Sequence, residues 1–283
     1  MTYTEKLTNA VRSSGSLLCV GLDPDPDRIP APLRNIYSSE PEFIFEFCRR
    51  IVEATKPHVC AFKPNTAFFE AMGSRGWEIL ERVMDAIPSN RVVIADAKRG
   101  DIGNTAAKYR TSLFDRLGAD AVTLNPLMGL DTLEPFMDDE TKAVYTLVMT
   151  SNSGAADFLK RRFEGRTSLS EYISEELSKL QHRSKTSLGM VVGATQASAL
   201  KLVLEANPDA HLLIPGIGSQ GGSISELAAV LRNHRGIPVI NSSRAILYAG
   251  GNNEEWMEMS AAKALELKEE LQPILKSYDE QAS

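Results

Sequence analysis

Short apolar runs rich in β-branched residues recur along the whole chain. Runs of this length, bounded by polar or turn-forming residues, are typical of buried β-strands, because both faces of such a strand are covered. Eight runs fit this description: Leu17–Leu22, Val59–Phe62, Val92–Ala95, Ala121–Leu124, Val144–Met149, Leu188–Val192, Leu212–Ile214 and Ile237–Ile240. The pattern therefore predicts eight strands.

Amphipathic helical patterns separate most of these runs. Apolar residues spaced three and four apart in Phe43–Val52 and Trp77–Met84 predict helices there. Alternating strands and helices predict a parallel sheet, and eight repeats favour closure as an α/β (β/α)8 TIM barrel, with a doubly wound open sheet as the alternative. Because no linker-like Pro/Gly/Ser stretch divides the chain, we expect residues 1–283 to form a single domain.

Segments without this periodicity complete the assignment. We expect loops at Pro24–Tyr37 and Gly250–Glu254. Glu255–Leu271 has the pattern of a closing helix. Pro273 would end that helix, because proline cannot continue the helical hydrogen bonding.

Polar residues cluster where the apolar runs stop. In a barrel of this kind the active site lies at the carboxyl ends of the strands, so this is where a site is expected. Six runs end in such a cluster: Gly21–Pro24, Lys63–Asn65, Asp96–Lys98, Thr150–Gly154, Pro215–Gly222 and Asn241–Arg244. We therefore expect a site built from these six ends.

Composition and charge narrow the class of protein. The net charge of −6 argues against nucleic acid as the main partner, because phosphate backbones select basic surfaces. The chain has no signal-like N-terminus and no apolar run of about 20 residues, so we expect neither secretion nor a membrane span.

Cys19, Cys48 and Cys60 lack close pairing and indicate reduced residues of a cytoplasmic protein. The four histidines are scattered, so no metal site is expected.

The most informative segment is Ile94–Thr105, where an apolar run leads into Asp96, Lys98 and Asp101. Strand side chains alternate between faces, so Asp96 and Lys98 should point to the same side, and Lys63 ends the neighbouring run. A lysine beside a carboxylate stays protonated, which suits stabilising and protonating a carbanion rather than forming a Schiff base. A surface ion-pair network is the alternative interpretation.

Glycine-rich segments after the seventh and eighth runs predict a phosphate site. Free backbone N–H groups and a helix N-terminus attract anions there, and Gln220 and Arg244 add side-chain donors. The alternative is that the glycines only form turns and Arg244 caps a helix. Asp23 is equally suited to hold a sugar hydroxyl or to act as a turn residue before Pro24.

The segment Asp96–Thr105 resembles the signature of the orotidine 5′-phosphate decarboxylase family. Phe62–Glu70 is similar to a motif of the longer bacterial branch of that family, and the resemblance extends over nearly the whole chain. It implies a TIM-barrel homodimer that converts orotidine 5′-monophosphate (OMP) to UMP and CO₂ in de novo pyrimidine biosynthesis. It also implies that the reaction needs no metal or organic cofactor.

The same resemblance implies residue roles. Lys98 would protonate C6, Asp96 would lie near the departing carboxylate, and Lys63 would bridge acid and ribose. Asp101 would enter the site of the other subunit, together with Ile102 and Thr105. Substrate-binding roles would fall to Asp23, Ile102, Thr105, Ser151, Pro215, Gln220, Ser243 and Arg244. Ser243 stands where many family members carry glycine, so the local geometry there can differ.

Two other functions fit part of the pattern. A Mg²⁺-dependent sugar-phosphate decarboxylase or aldolase of the same barrel type shares the Asp-x-Lys-x-x-Asp core, but its site would need an acid in place of Lys63. The other alternative is a non-catalytic barrel that binds a phosphorylated ligand. Loss of one of the four charged residues would indicate it, but all four are present: Lys63, Asp96, Lys98 and Asp101. The sequence therefore favours the pyrimidine decarboxylase.

Overall fold

The structure, a computed structural model, describes residues 1–163, 165–193, 197–216 and 224–282. The strands in these ranges are β1 (Leu18–Leu22), β2 (Ala61–Pro64), β3 (Val92–Arg99), β4 (Ala121–Leu124), β5 (Ala143–Met149), β6 (Arg162–Phe163), β7 (Thr167–Ser168), β8 (Ser187–Val192), β9 (Leu212–Pro215) and β10 (Pro238–Ser242). Eight of them close into a barrel of parallel neighbours in the order β1-β10-β9-β8-β5-β4-β3-β2, while β6 and β7 form a separate antiparallel hairpin. The predicted TIM barrel is confirmed, and the open sheet is wrong.

Helices connect the strands. Those in the described ranges are α1 (Tyr3–Ser14), α2 (Ala31–Arg34), α3 (Glu40–Thr55), α4 (Thr66–Glu70), α5 (Ser74–Ala86), α6 (Gly103–Arg110), α7 (Leu169–Gln181), α8 (Ala197–Ala206), α9 (Ile224–Leu231), α10 (Arg244–Leu247), α11 (Trp256–Glu270) and α12 (Gln272–Ala282). A π-helical segment, Thr111–Arg116, continues α6. The helices predicted around Phe43–Val52 and Trp77–Met84 are α3 and α5. Within the described ranges, no helix is long and apolar enough to cross a membrane.

The amino-terminal end of the barrel is filled by aromatic side chains. Tyr145 on β5 pairs in register with Gly189 on β8, and a Cβ at Gly189 would lie 2.8 Å from the Tyr145 ring. Tyr3 on α1 reaches the same layer, where its hydroxyl lies 2.9 Å from the Tyr145 hydroxyl, and both residues are fully buried. This end is a packed core, which leaves the opposite end for chemistry.

All eight predicted barrel strands are present, with shifted ends. β2 starts at Ala61 rather than Val59, and β3 continues to Arg99 rather than stopping at Ala95. The extension of β3 takes in Asp96 and Lys98, whose charges are paired and therefore tolerated within a strand.

The proline-rich segments differ from the prediction. Pro24–Tyr37 is not a plain loop, because it holds a 3₁₀ turn, Pro26–Arg28, and the helix α2. The closing helix α11 ends before Pro273 as expected, but α12 begins at once and carries Pro273 in its first turn. Proline is favoured in the first turn of a helix, where its missing N–H has no partner to lose.

Candidate active site

Three charged side chains meet at the carboxyl ends of β2 and β3. Lys63 Nζ lies 2.6 Å from Oδ2 of Asp96, and Lys98 Nζ lies 2.5 Å from Oδ1. The Lys63 and Asp96 side chains are only 6% and 8% exposed, whereas that of Lys98 is 49% exposed. The Lys98 ammonium can therefore meet both a ligand at the barrel mouth and water.

A bulge in β3 brings these groups together. The regular pairing of β3 with β4 is interrupted at this point. Three residues of β3, Asp96 to Lys98, lie opposite a single residue of β4, Thr123. Lys98 has a φ of +47°, in the left-handed region that residues other than glycine rarely adopt. Bulges are rare between parallel strands and occur beside active sites, where they redirect side chains. Here the bulge places the ammonium of Lys98 on the carboxylate of Asp96.

The hydroxyl of Thr123 lies inside this bulge. It accepts a hydrogen bond from the backbone N–H of Lys98 at 2.9 Å and donates one to Oδ1 of Asp96 at 2.9 Å. Thr123 is 1% exposed. The sequence does not single out this residue, because threonine is an ordinary strand former.

Charge pairing decides the protonation state of the cluster. Burial alone would lower the pKa of Lys63, but the attraction of Asp96 and Asp23 outweighs burial and raises that pKa. Burial would likewise raise the pKa of Asp96, yet Lys63 and Lys98 hold it well below its usual range. Lys63 and Asp96 are therefore both ionised at neutral pH, unlike the lysine of a Schiff-base enzyme.

Most of the predicted substrate residues lie at the same end of the barrel. Asp23 follows β1, Ser151 follows β5, Pro215 ends β9, and Ser243 and Arg244 follow β10. Gln220 lies outside the described residues, as does most of the predicted glycine-rich segment.

Two of these residues have side-chain atoms suited to an external ligand. Oδ1 of Asp23 is buried without a hydrogen-bond partner among the described residues. A buried acceptor of this kind is normally satisfied, so a ligand hydroxyl is a suitable partner for it. Arg244 is exposed at the start of α10, where its guanidinium can reach an anion at the barrel mouth.

Two glycines allow neighbouring strand ends to approach closely. A Cβ at Gly21 would lie 1.9 Å from Oγ of Ser243, and a Cβ at Gly193 would lie 2.7 Å from the backbone N of Ser151. Oγ of Ser243 also accepts a hydrogen bond from Nδ2 of Asn241 at 3.2 Å. The serine at position 243 is therefore accommodated by the absence of a side chain at Gly21.

In the part of the chain that the structure describes, no hydrogen bond or ion pair links Asp101, Ile102 or Thr105 to the cluster. They lie on the turn after β3 and in α6, where Oδ1 of Asp101 accepts the backbone N–H of Ile102 at 2.9 Å. Ile102 is 53% exposed, and the neighbouring loop after β4 exposes Leu127 and Met128 by 57% and 58%. Of the four charged residues Lys63, Asp96, Lys98 and Asp101, ion pairs join the first three within one chain.

Two further side chains, which were not predicted to take part, support these strand ends. The hydroxyl of Tyr248 donates to the backbone carbonyl of Asp23 at 2.9 Å and accepts the N–H of Asp25 at 2.7 Å. Arg99, directly after Lys98, forms an ion pair with Glu70 on α4. Since the Tyr248 contacts join opposite ends of the chain, no local pattern in the sequence indicates them.

A closed (β/α)8 barrel with lysines around a buried carboxylate at its strand ends has the arrangement of a barrel enzyme, because active sites of this fold lie at that end. The sequence profile of the orotidine 5′-phosphate decarboxylase / HUMPS family matches residues 16–259. The chain belongs to this family, and the resemblance noted in the sequence is confirmed.

Individual relatives agree along almost their full length. The orotidine 5′-phosphate decarboxylase of Dehalococcoides mccartyi (strain 195) is 44% identical over 258 residues, which cover 90% of this chain and 92% of that protein. The enzyme of that name from Flavobacterium johnsoniae is 42% identical over 277 residues, covering 97% and 98%. The solved structure of Leishmania donovani OMP decarboxylase superposes with a TM-score of 0.80 at 35% identity, covering 98% of this chain and 99% of that one.

Proposed function

We propose that this chain decarboxylates orotidine 5′-monophosphate to UMP and CO₂ by a direct reaction that needs no metal or organic cofactor. The observation that carries the proposal is the pair of ammonium groups held on the two oxygens of Asp96, at 2.6 Å and 2.5 Å. The named relatives, similar over nine-tenths or more of both chains, support the same reaction.

The charged cluster suits each step of such a reaction. When the bond between C6 and the carboxylate breaks, its electron pair stays on C6 as a vinylic carbanion. The ammonium of Lys98 stabilises that charge and then donates a proton to C6, which gives UMP. The resulting amine regains a proton from water, because the Lys98 side chain is half exposed. Asp96 holds Lys98 before the reaction and lies beside the departing carboxylate.

The remaining predicted residues take substrate-binding roles in this proposal. Lys63 bridges Asp96 and the ribose, and the unpartnered oxygen of Asp23 binds a ribose hydroxyl. Ser151 and Pro215 meet the pyrimidine. Gln220, the backbone of Ser243 and the guanidinium of Arg244 hold the phosphate. Contacts to a phosphate far from C6 supply binding energy that the transition state can use.

We further propose a homodimer in which Asp101, Ile102 and Thr105 reach the partner's site. The support is the position of Asp101 outside its own cluster, together with the exposed apolar side chains of Ile102, Leu127 and Met128 beside it. An exposed apolar group of this kind is typical of an interface. The whole chain, 1–283, then acts as one catalytic domain.

We place the reaction in the cytoplasm. The three cysteines are free and buried, as expected of a protein kept under reducing conditions.

The Mg²⁺-dependent sugar-phosphate enzyme is less well supported. Its metal would need an acid at the end of β2, and that position holds Lys63, whose raised pKa keeps it positively charged. The positive charge of Lys63 would repel a divalent cation bound beside it.

OMP incubated with the purified protein in D₂O is expected to give one CO₂ for each UMP, with deuterium at C6 of the product. The reason is that the Lys98 ammonium exchanges its protons with solvent before it donates one. Mass spectrometry of the nucleotide and of the released gas measures both quantities, with UMP in buffer alone as the unlabelled control. Turnover of a sugar phosphate without conversion of OMP would support the Mg²⁺-dependent alternative instead.

A further inference from the structure

The bulge in β3 leaves backbone polar groups without the hydrogen bonds that regular strand pairing would give them. In a regular parallel sheet, each N–H of an inner strand donates to a carbonyl of one of its two neighbouring strands. Within the bulge the extra residues lose this pairing. The N–H of Lys98 donates instead to a side chain, Oγ1 of Thr123, at 2.9 Å.

The direction of both hydrogen bonds at Thr123 follows from its chemistry. A backbone N–H can only donate, so Oγ1 of Thr123 is the acceptor toward Lys98. The single proton of the hydroxyl is then free for Asp96, whose ionised carboxylate can only accept, and it reaches Oδ1 at 2.9 Å. The hydroxyl therefore connects the backbone of the lysine with the carboxylate that pairs with its ammonium.

The hydroxyl is also held in a fixed position. Thr123 is 1% exposed, and its β-branched side chain has few allowed rotamers. Its strand partner on β5 is Tyr145, which is fully buried. A group fixed in this way can impose geometry on more mobile neighbours.

We propose that Thr123 is a positioning residue for decarboxylation, because its hydroxyl fixes the Lys98 backbone and the Asp96 carboxylate relative to each other. The proposal rests on the proposed function. Lys98 adopts a left-handed φ of +47°, and such a conformation persists only where surrounding contacts hold it. Catalytic groups must be held within about 0.5 Å of the productive geometry, so this contact matters for rate.

The second hydrogen bond has a separate consequence. Oδ1 of Asp96 accepts from both Lys98 Nζ and Thr123 Oγ1. When the ammonium turns toward C6, Thr123 still satisfies that buried oxygen. The hydroxyl thereby lowers the cost of releasing Lys98 from its ion pair.

Thr123→Val is the direct test, because valine keeps the β-branched shape and removes only the hydroxyl. We expect kcat for OMP to fall about 10- to 100-fold, as for loss of a hydrogen bond to a charged group, while KM changes less than about threefold. Thr123→Ser should restore most of the lost kcat, since serine keeps the same donor and acceptor.

Thr146→Val is a matched control. Thr146 is a fully buried threonine on the neighbouring strand β5, and its hydroxyl has no hydrogen-bond partner among the described residues. Register and strand alternation place it on the opposite face from Thr123. We expect its kcat and KM to match those of the wild type. A Thr123→Val enzyme with wild-type kcat, or a Thr123→Ser enzyme as impaired as the valine variant, would overturn the proposal.

A second measurement needs no turnover. Amide hydrogen exchange at Lys98, in the protein without substrate, should be at least about tenfold faster in Thr123→Val than in wild type, and unchanged in Thr146→Val. Unchanged exchange at Lys98 would contradict the inference even in a fully active enzyme. Conversely, faster exchange in a protein that does not convert OMP would uphold the contact and reject the proposed function, so the two failures are distinguishable.

Discussion

Replacing Lys98 by alanine is expected to lower kcat for OMP by at least about 10³-fold while the barrel stays folded. The change removes both the cation that stabilises the carbanion and the acid that protonates it, and each contributes about 10² or more. The fold should persist because Asp96 keeps its 2.6 Å ion pair with Lys63, and the Lys98 side chain is half exposed. Loss of OMP absorbance measures the rate, and circular dichroism measures the fold.

Lys179→Ala is the control for this variant. Lys179 is an exposed lysine on α7 whose ammonium pairs with Glu176 at 2.6 Å. Its removal should leave the rate unchanged, because exposed ion pairs contribute little. A Lys98→Ala enzyme that keeps more than a tenth of wild-type kcat would show that another group protonates C6.

Two inactive variants, Lys98→Ala and Asp101→Ala, are expected to recover activity when both chains assemble together. If each site combines Lys98 of one chain with Asp101 of the other, a mixed dimer holds one intact site and one doubly altered site. Random pairing makes half of the dimers mixed, so about one quarter of the wild-type sites return. Coexpression followed by a steady-state assay measures this fraction.

The matched control pairs Lys98→Ala with Asp96→Asn. Both residues lie in the cluster of their own chain, where their side chains are 2.5 Å apart, so a mixed dimer has no intact site. No activity should return. Equal recovery from both pairs of variants, or an Asp101→Ala enzyme that is fully active alone, would contradict a shared site.

The barrel and the position of its charged end follow from local sequence signals. Each strand is a short apolar run, and parallel closure sends all carboxyl ends to one side, so Lys63 and Asp96 were expected near each other. Their ion pair at 2.6 Å agrees with that expectation. Alternation along a regular strand also predicted that Asp96 and Lys98 face the same side. Their side chains do meet, but through the bulge and the left-handed φ of Lys98 rather than through regular alternation.

The details that set the geometry could not be obtained in this way. The β3 bulge depends on how two strands pair, and neither strand alone shows that Asp96 to Lys98 face a single residue, Thr123. The contact of Tyr248 with Asp23 spans the barrel closure between β10 and β1. A hydrogen bond between distant residues has no signature in the local pattern of either.

The loop predicted at Pro24–Tyr37 was wrong for a different reason. That segment lacks helical periodicity in its sequence, yet it contains two short helical segments. At Pro273 the predicted end of α11 is confirmed, but a further helix, α12, follows at once. In the structure, Pro26 and Pro32 lie in the first turns of short helical segments, and Pro273 lies in the first turn of α12. Fixed φ favours a helix start as much as it disfavours a helix interior, so position within the turn decides the effect.

The central claim is direct decarboxylation by the Lys63–Asp96–Lys98 cluster. Comparing the rate of OMP conversion without and with a divalent metal tests it most directly. The protein is dialysed against EDTA, and its conversion of OMP to UMP is measured with EDTA present and again after excess Mg²⁺ is added. The ammonium groups already supply the positive charge that the reaction needs, so we expect the same full rate in both samples. Loss of the reaction in EDTA and its return with Mg²⁺ would contradict the account and favour the metal-dependent chemistry.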